Sequence, residues 1–377
     1  MKIGIIIKNY ATVNEFSKTG MPTKGGADFH AENQAKQLIS LGHNVYIMSK
    51  RSKYKLQARE NYCDIDVVRL HAPFRWLESI LRLVSTHSNT DVFYIFGNPE
   101  FAVWPVLFAK LIKKRTILIL TQNEPINVKN TWRNRILCKC DKYIAISNSI
   151  KQIMNTQMHV PENKISVLPQ GVDITIFNGA DNAEKNELRE KEQIHIGHPI
   201  VLFCARISLV KGVDTMQKAW RKVHSKRPDA LLVVVGGGDK HLVADIINTG
   251  QELEHSIRFI GEVLDTSIWY KIADIYFFPS RGEGLPTSLM EALASGVPSV
   301  VSKVSGCEDL LFDDQNGYLV ESEDAETMAE RILYLLDNKE VCDRMAKWAR
   351  KYACEYLDSS VLKYKLEQIV TKDIHRS

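Results

Sequence analysis

The stretch GGADFHAENQAKQLISLGHNV, residues 25–45, decides how the beginning of the chain folds. It connects two apolar runs, KIGIII at 2–7 and HNVYIMS at 43–49, that have the length and composition of β-strands. Four apolar side chains recur inside it at helical spacing, namely Ala31, Ala35, Leu38 and Ile39. Gly42 is typical of a helix end. The pattern therefore predicts a β-α-β unit.

Two series of β-rich runs alternate with helical patterns along the chain. The first continues with DVVRL, VFYIFG, RTILIL, KYIAIS and ISVLP. After a polar stretch at 179–199 the second series consists of PIVLFCARI, ALLVVVGGG, SIRFIGEV, IYFFP, PSVVSK and GYLV. Several runs are apolar on both faces, as is typical of parallel strands covered by helices. The alternation predicts two doubly wound α/β domains.

The length of 377 residues agrees with two domains, since a single core tends to stop growing near roughly 250 residues. We expect one Rossmann-like domain over 1–172, a linker region over 173–194 and a second Rossmann-like domain over 195–357. Ligands of such folds bind at the carboxyl ends of the strands. Two such domains would therefore face each other across a ligand-binding cleft.

The composition is that of a globular protein, with 45% hydrophobic and 25% charged residues. No apolar run reaches the roughly 18 residues that a membrane-spanning helix needs. The first residues have the pattern of a strand and not of a signal peptide, so we expect a cytoplasmic protein. The seven cysteines are scattered and odd in number, which argues against a disulfide framework. Cys138 and Cys140 lack the partners of a zinc site.

The net charge of +4 hides an asymmetry between the two halves of the chain. Residues 1–170 have a net charge of +12, from 24 Lys+Arg and 12 Asp+Glu, whereas residues 171–377 have a net charge of −8. The basic cluster KLIKKR at 110–115 follows the apolar run FAVWPVLFA. This half could meet an anionic surface, namely a phospholipid leaflet, nucleic acid or a phosphorylated acceptor, and among these we expect contact with a membrane and none with nucleic acid. A merely solvated face is the alternative.

Three stretches combine glycine or cationic residues with the end of a predicted strand. Gly25 and Gly26 precede the first helix, where the backbone can approach a ligand closely and free N–H groups can bind an anion. Arg206 and Lys211 follow the strand PIVLFCA, so that a guanidinium and an ammonium could converge on a diphosphate. The glycine turn at 236–238 could leave room for a base or a phosphate. Each stretch alone also fits an ordinary turn or surface charge.

The stretch RGEGLPTSLMEALASG, residues 281–296, has a glutamate on either side of a predicted helix start. A capping box from Ser288 to Glu291 is one interpretation, in which Glu291 only stabilises the helix end. If the helix begins at Thr287, however, Glu291 lies about 6 Å along its axis and Glu283 lies in the preceding loop. The two carboxylates then flank the positive end of the helix. A diphosphate between two hydroxyl-bearing sugars would fit there, which describes a nucleotide sugar.

With these residues assembled, the chain resembles the retaining glycosyltransferases of the large GT-B family four, the group 1 glycosyl transferases. The matching motifs span nearly the whole chain: Gly25-Gly26, DKYIAISNSIK at 141–151, LPQGVD at 168–173, Arg206 with Lys211, the glycines at 236–238 and, above all, E-x7-E from Glu283 to Glu291. The resemblance implies transfer of a sugar from a nucleotide diphosphate sugar, with uridine as the expected base. The implied acceptor is a hydroxyl of a glycan or lipid-linked molecule in bacterial cell-surface polysaccharide or glycolipid synthesis. No metal or other cofactor is implied.

The family implies a role for each matching residue. Arg206, Lys211 and Glu283 would be catalytic: the cations would stabilise the leaving diphosphate and Glu283 would hold the donor sugar. Glu291 would bind the ribose hydroxyls. Further contacts with the donor or its nucleotide are implied for Gly25, Gly26, Gly236, Gly238, Gly284, Leu285, Pro286 and Thr287. A last helix over 358–377 would return to the first domain.

One departure from the family concerns the residues after the strand ILIL. Members often have a His there, where this chain has Gln122 and Asn123, which we assign to the acceptor side. An amide can hydrogen-bond a sugar hydroxyl but takes up no proton, so the leaving phosphate would accept it. The alternatives are a nucleotide-sugar epimerase or phosphorylase of the same fold, a dinucleotide-dependent dehydrogenase, or a non-catalytic nucleotide binder. The lack of a complete G-x-G-x-x-G argues against the dehydrogenase.

Overall fold

The computed structural model describes residues 1–7, 10, 26–50, 57–70, 89–96, 99–112, 114–120 and 136–372. The chain divides into two compact units, one of Met1–Gln170 with Val361–Ser377 and one of Gly171–Ser360. Among the described residues each unit is built on one sheet, and all but one of the strand pairs are parallel. The prediction of two Rossmann-like α/β domains is therefore confirmed.

The described part of the first unit contains an eight-stranded sheet. Its strands are β1 (Lys2–Ile7), β2 (Asn44–Lys50), β3 (Arg59–Tyr62), β4 (Ile65–Leu70), β5 (Val92–Phe96), β6 (Arg115–Leu120), β7 (Lys142–Ala145) and β8 (Ile165–Val167), in the spatial order β3-β4-β2-β1-β5-β6-β7-β8. Described helices of this unit are α1 (Gly26–Ser40), α2 (Pro99–Leu111) and α3 (Asn148–Thr156). β1 and β2 pair in parallel on either side of α1 along the chain, which confirms the predicted β-α-β unit. The short edge strand β3, which the sequence pattern did not predict, pairs antiparallel with β4.

The second unit contains a six-stranded sheet that is parallel throughout. Its strands are β9 (Ile200–Cys204), β10 (Leu231–Val235), β11 (Ile257–Gly261), β12 (Ile275–Phe278), β13 (Ser299–Ser302) and β14 (Gly317–Val320). Its helices are α4 (Asn182–Lys191), α5 (Val213–Lys226), α6 (Lys240–Glu252), α7 (Ser267–Ile272), α8 (Thr287–Ala294), α9 (Ser305–Glu308), α10 (Ala325–Asp337) and α11 (Lys339–Tyr352). The spatial order β11-β10-β9-β12-β13-β14 reverses direction between β9 and β12. Ligands of doubly wound sheets bind at this switch point, outside the carboxyl ends of the two strands.

The segment predicted as a linker region, 173–194, has structure of its own. It contains α4, whose Lys185 and Arg189 pair with Asp274 at 2.6 Å and 2.7 Å. These contacts stay within the second unit, so the segment is part of that domain and not a free connection. The polar composition of α4 misled the prediction, because a surface helix held by ion pairs needs few apolar residues.

The last described helix, α12 (Ser359–Thr371), packs in the first unit from Val361 onward. Leu362, Leu366 and Val370 form its buried face. At its carboxyl end, the guanidinium of Arg115 donates hydrogen bonds to the backbone carbonyls of Ile369 at 3.1 Å and Val370 at 3.0 Å. A cation at this position also complements the negative end of the helix dipole.

Candidate active site

The loops after β9 and β12 meet at the switch point of the second unit. The loop after β9 contains Arg206 and Lys211, and the loop after β12 contains Glu283. The two loops are separated by about seventy residues of sequence, yet the parallel pairing of β9 with β12 places their starting points side by side. The three residues predicted as catalytic therefore lie on the two loops that flank a typical ligand-binding position.

The ammonium of Lys211 and the carboxylate of Glu283 form an ion pair, with 2.5 Å between Nζ and Oε1. Glu283 is buried, with only 9% of its surface exposed. The same Oε1 accepts a hydrogen bond from the hydroxyl of Ser280 at 2.5 Å. Lys211 also lies over the ring of Phe278, with its Nζ 5.5 Å from the ring centroid. The pair is thus a fixed feature of the switch point, because packing and hydrogen bonds restrain both partners.

Close backbone packing sets the relative position of the two loops. Gly212 has a φ of +70°, and a Cβ atom at this residue would lie 1.8 Å from the carbonyl oxygen of Pro279. The backbone N–H of Arg281 donates to the carbonyl of Val210 at 2.8 Å, and the hydroxyl of Ser280 donates to the same carbonyl at 3.2 Å. Only glycine fits at position 212, because any side chain would collide with the neighbouring loop.

Arg206 lies on the same loop as Lys211, and its side chain is exposed. Among the residues that the structure describes, Arg206 has no ion-pair partner. The structure brings Lys211 and Glu283 together. The guanidinium of Arg206 is instead exposed to solvent at the carboxyl end of β9. An exposed guanidinium of this kind can bind a phosphate with two parallel hydrogen bonds.

Helix α8 begins at the switch point without a side-chain cap. Its N-cap residue is Pro286, and within the described part of the chain no side chain caps this end with a hydrogen bond. Ser288 lies inside the first turn, where its Oγ accepts a hydrogen bond from the hydroxyl of Tyr276 at 2.7 Å. The capping-box interpretation of Ser288 and Glu291 is therefore wrong. Backbone N–H groups at an uncapped helix start are a suitable site for an anion.

Three of the four residues at 284–287, for which the resemblance implies donor contacts, have a backbone N–H group. Proline has no N–H, so Pro286 can contribute only its fixed backbone angle at the N-cap. Gly284, Leu285 and Thr287 keep their backbone donors at this position. Leu285 is buried and Gly284 is half-buried, so these residues also shape the floor of the loop.

Glu291 lies in the second turn of α8 and is half-buried. Burial raises the pKa of its carboxyl group to about 7, and the nearby hydroxyl of Tyr270 opposes part of the rise. Burial also raises the pKa of the neighbouring Cys204 thiol to about 12, and the negative charge of Glu291 adds to this effect. Glu291 therefore changes charge close to neutral pH.

The glycine turn after β10 packs closely against the loop that contains Arg206. A Cβ atom on Gly236 would lie 2.0 Å from the carbonyl oxygen of Ala205, and one on Gly238 would lie 2.2 Å from that of Ile207. Ile207 and Gly238 form a β-bridge. A side chain at either position would collide with this backbone, and the contacts of Gly236 and Gly238 with the donor stay a prediction. The two glycines support the loop that contains Arg206.

Several residues assigned from the sequence are not seen at a site. Gly25, Gln122 and Asn123 lie outside the described residues. Gly26 is the first residue of α1, which is consistent with a glycine before a helix start. In the described part of the chain, no three His, Cys, Asp or Glu side chains are arranged to hold a metal ion. The seven cysteines form no disulfide.

Three residues of the site were not identified from the sequence. Ser280 contacts Glu283, and Arg281 forms a bidentate pair with Asp214 in which both N···O distances are 2.8 Å. Arg281 and Asp214 are 67 residues apart in sequence, so that only the tertiary structure reveals their pairing. The one available signal was the serine and arginine directly after the apolar strand IYFFP.

Two family models match the chain in sequence order. "Glycosyltransferase Family 4" matches residues 24–176, and "Glycosyl transferases group 1" matches residues 184–352. The first range falls in the first unit apart from its last residues, and the second falls in the second unit. The two ranges contain the switch-point residues described above and the helix after the Gly-Gly loop.

Curated relatives include several glycosyltransferases. An uncharacterized glycosyltransferase of Haemophilus influenzae is 28% identical over 60% of this chain. The UDP-Gal:alpha-D-GlcNAc-diphosphoundecaprenol alpha-1,3-galactosyltransferase of Escherichia coli is 27% identical over 61% of this chain. These alignments span 63% and 60% of the relatives' own length. Spore coat protein SA of Bacillus subtilis is 27% identical over 88% of this chain and 90% of its own.

Solved structures share the fold over almost the whole chain. The Anabaena protein HepE in complex with UDP has a TM-score of 0.81 at 17% identity and covers 98% of this chain and 99% of its own. A sucrose-phosphate synthase from Thermosynechococcus elongatus has a TM-score of 0.79 at 16% identity, with 100% of both chains covered. The fold is that of the GT-B glycosyltransferases. The chain belongs to the group 1 glycosyl transferases.

Proposed function

We propose that the protein transfers a sugar, with retention of anomeric configuration, from a nucleotide diphosphate sugar to a hydroxyl of a glycan or lipid-linked acceptor. The observation that supports this best is the Lys211–Glu283 pair at the switch point of the second sheet, beside the uncapped start of α8. This arrangement offers positive charge for a diphosphate and a buried carboxylate for sugar hydroxyls within one site.

The donor would be held along its whole length by the residues of the second unit. Glu283 would accept hydrogen bonds from hydroxyls of the transferred sugar. Arg206, Lys211 and the N–H groups at the start of α8 would bind the diphosphate, since an ammonium has three donors and can contact Glu283 and a phosphate oxygen together. Glu291 would accept hydrogen bonds from the ribose hydroxyls once it is ionised.

The chemical step would be a displacement at the anomeric carbon of the donor sugar. The bond from this carbon to the diphosphate oxygen breaks, and a bond to the acceptor oxygen forms on the same face. The proton of the acceptor hydroxyl passes to an oxygen of the leaving diphosphate. Arg206 and Lys211 stabilise the negative charge that develops there, which lowers the barrier because the cations are already in position. With these cations and the helix start, the step requires no metal ion.

The relatives support a particular donor and acceptor. HepE was solved with UDP and with UDP-glucose, and the E. coli relative is named for a UDP-sugar and a diphosphoundecaprenol acceptor. We therefore propose a uridine nucleotide for this chain and an acceptor on the route to a cell-surface polysaccharide or glycolipid.

The test is a screen followed by a transfer assay. A panel of nucleotide sugars with uridine, guanosine and adenosine bases is compared by thermal shift, and the best donor is then offered to polyprenyl-diphosphate-linked sugars. We expect release of nucleotide diphosphate only in the presence of acceptor, with the product anomer matching that of the donor by NMR. Nucleotide release without acceptor, or an inverted anomer, would contradict the proposal.

Peripheral membrane contact is part of the proposal and concerns the first unit. None of the described helices combines the length and the apolar character that a membrane crossing requires. At the end of α2, Leu111 is 81% exposed next to the basic cluster 110–115. Two cations of this cluster are already engaged, since Lys110 pairs with Asp141 and Arg115 binds the carboxyl end of α12. Sedimentation with anionic liposomes that salt reverses would support membrane contact, and no sedimentation at low salt would contradict it.

A further inference from the structure

Arg281 connects three loops at the carboxyl end of the second sheet. Its guanidinium donates two hydrogen bonds of 2.8 Å to the carboxylate of Asp214, in the first turn of α5. The same group also donates to the backbone carbonyl of Leu209 and to the carboxylate of Glu323 in the loop after β14. Its own backbone N–H donates to the carbonyl of Val210 at 2.8 Å.

The residues that Arg281 contacts lie on both sides of Lys211 in the sequence. The partners Leu209 and Val210 precede it directly, and Asp214 follows it by three residues. Arg281 itself stands two residues before Glu283. One side chain thus ties the segment that contains Lys211 to the segment that contains Glu283. A bidentate guanidinium–carboxylate pair restrains both distance and orientation, which a single contact does not.

We infer that Arg281 is a positioning residue, which holds Lys211 in register with Glu283 and so places the ammonium against the donor diphosphate. The guanidinium is committed to Asp214, Leu209 and Glu323, so its contribution passes through the loop it holds. The inference rests on the proposed function for the role of Lys211, whereas the restraint on the loop can be measured in the protein without substrate.

Arg227 provides a matched control in the same unit. Its guanidinium forms a bidentate pair with Asp229, at 2.9 Å and 2.8 Å, and a further contact with Asp337 at 2.6 Å. Its side chain is 25% exposed, against 27% for that of Arg281. Arg227 caps the carboxyl end of α5, whereas Asp214 lies at the amino end. The two arginines therefore have similar partners at opposite ends of one helix, and only Arg281 is next to the switch point.

The test compares Arg281→Lys with Arg227→Lys, because lysine keeps the charge but cannot form the bidentate pair. The first measurement is hydrogen–deuterium exchange of the amides of residues 209–214 in the substrate-free protein. We expect faster exchange in Arg281→Lys and parent-like exchange in Arg227→Lys. Equal exchange in the parent and in Arg281→Lys would overturn the inference, whatever reaction the protein catalyses.

The second measurement is transfer from the best nucleotide sugar of the thermal-shift screen. A misplacement of about 1 Å can cost up to about 100-fold in rate, so we expect Arg281→Lys to lower kcat by about 10- to 100-fold and Arg227→Lys to leave it within about twofold. In the Lys211→Met background the same change at residue 281 should have less than about a twofold further effect, because the group it positions is gone. The positioning role would be overturned if Arg281→Lys lowered kcat by the same factor in the Lys211→Met background as in the parent. It would also be overturned if Arg281→Lys and Arg227→Lys lowered kcat equally. If the parent protein transfers no sugar, the proposed function is wrong. The exchange measurement still shows whether Arg281 restrains residues 209–214.

Discussion

Replacement of Glu291 by Gln separates the two contributions of this carboxylate. Burial raises the pKa of Glu291 from 4.5 to about 7, so the side chain is half protonated near neutral pH. In the ionised form both carboxylate oxygens are free of a proton, so that each can accept a hydrogen bond from one ribose hydroxyl. We therefore expect donor binding by the parent protein to strengthen as the pH rises through 7, and binding by Glu291→Gln to be weaker and independent of pH.

The magnitude follows from the position of the pKa. With a pKa of about 7, the ionised fraction rises from about one tenth at pH 6 to about nine tenths at pH 8, so the association constant should rise about tenfold over this range. Stability moves in the opposite direction, because a carboxyl pKa that is raised in the folded state stabilises the fold below pH 4.5 and this stabilisation is lost as the pH passes 7. Glu291→Gln should therefore be more stable than the parent at pH 8, by about 1 to 3 kcal/mol once solvent at the rim of this half-buried site is allowed for.

The assay is isothermal titration calorimetry with a nucleotide diphosphate sugar, whose phosphates do not titrate near pH 7. Measurements at pH 6, 7 and 8 in two buffers of different ionisation enthalpy give both the affinity and the number of protons released. We expect about half a proton released at pH 7 by the parent and none by the variant. Glu187→Gln, at an exposed position of α4, is the control. A tenfold rise in affinity that persists in Glu291→Gln would refute the assignment of Glu291 to the ribose.

Other predictions concern residues that shape the site and its surroundings. Gly212→Ala should lower the free energy of unfolding by about 3 kcal/mol in urea titrations, because its Cβ would collide with the carbonyl oxygen of Pro279 at a positive φ, and a parent-like midpoint would contradict this. Arg350→Ala should cost about 2 to 4 kcal/mol in the same assay, since its guanidinium bonds three backbone carbonyls that would lose their donor, and Arg350→Lys should recover only part. Gly306→Ala should lower the rate of sugar transfer about tenfold with little change in the free energy of unfolding. Its Cβ would lie 2.8 Å from the carbonyl of Gly284 and displace the loop that contains Glu283. An unchanged transfer rate would contradict this prediction.

Much of the fold could be predicted from the sequence because its parallel strands are apolar on both faces. β1, β5, β9 and β12 are short runs of buried side chains, separated by helices with clear apolar faces. The edge strand β3 was missed because RENY alternates between exposed and half-buried positions and contains two charged residues. The polar helix α4 was missed for a similar reason. Periodicity identifies elements that are buried and misses those that ion pairs hold at the surface.

The candidate site was predicted in its residue types but not in its contacts. Lys211 and Glu283 could each be identified by their position after a strand. Their direct pairing depends on which strands are neighbours in the sheet, and local sequence does not predict this order. The glycine turn at 236–238 was interpreted as space for a ligand, and the sequence did not reveal that the backbone of a second loop occupies the Cβ positions of Gly236 and Gly238. Local sequence indicates where side chains are unusual, and the tertiary fold decides what each of them touches.

The central claim is that the switch point of the second sheet holds the diphosphate of the donor, with Lys211 as one of its main contacts. The most direct measurement compares the affinity for UDP with that for uridine, by calorimetry, in the parent protein and in Lys211→Met. Each charge-assisted contact contributes about 1.5 to 3 kcal/mol, so the parent should bind UDP at least about 100-fold more tightly than uridine. Lys211→Met should bind uridine as the parent does and should lose about 10- to 100-fold of the preference for UDP. An unchanged preference for UDP in Lys211→Met would contradict the account.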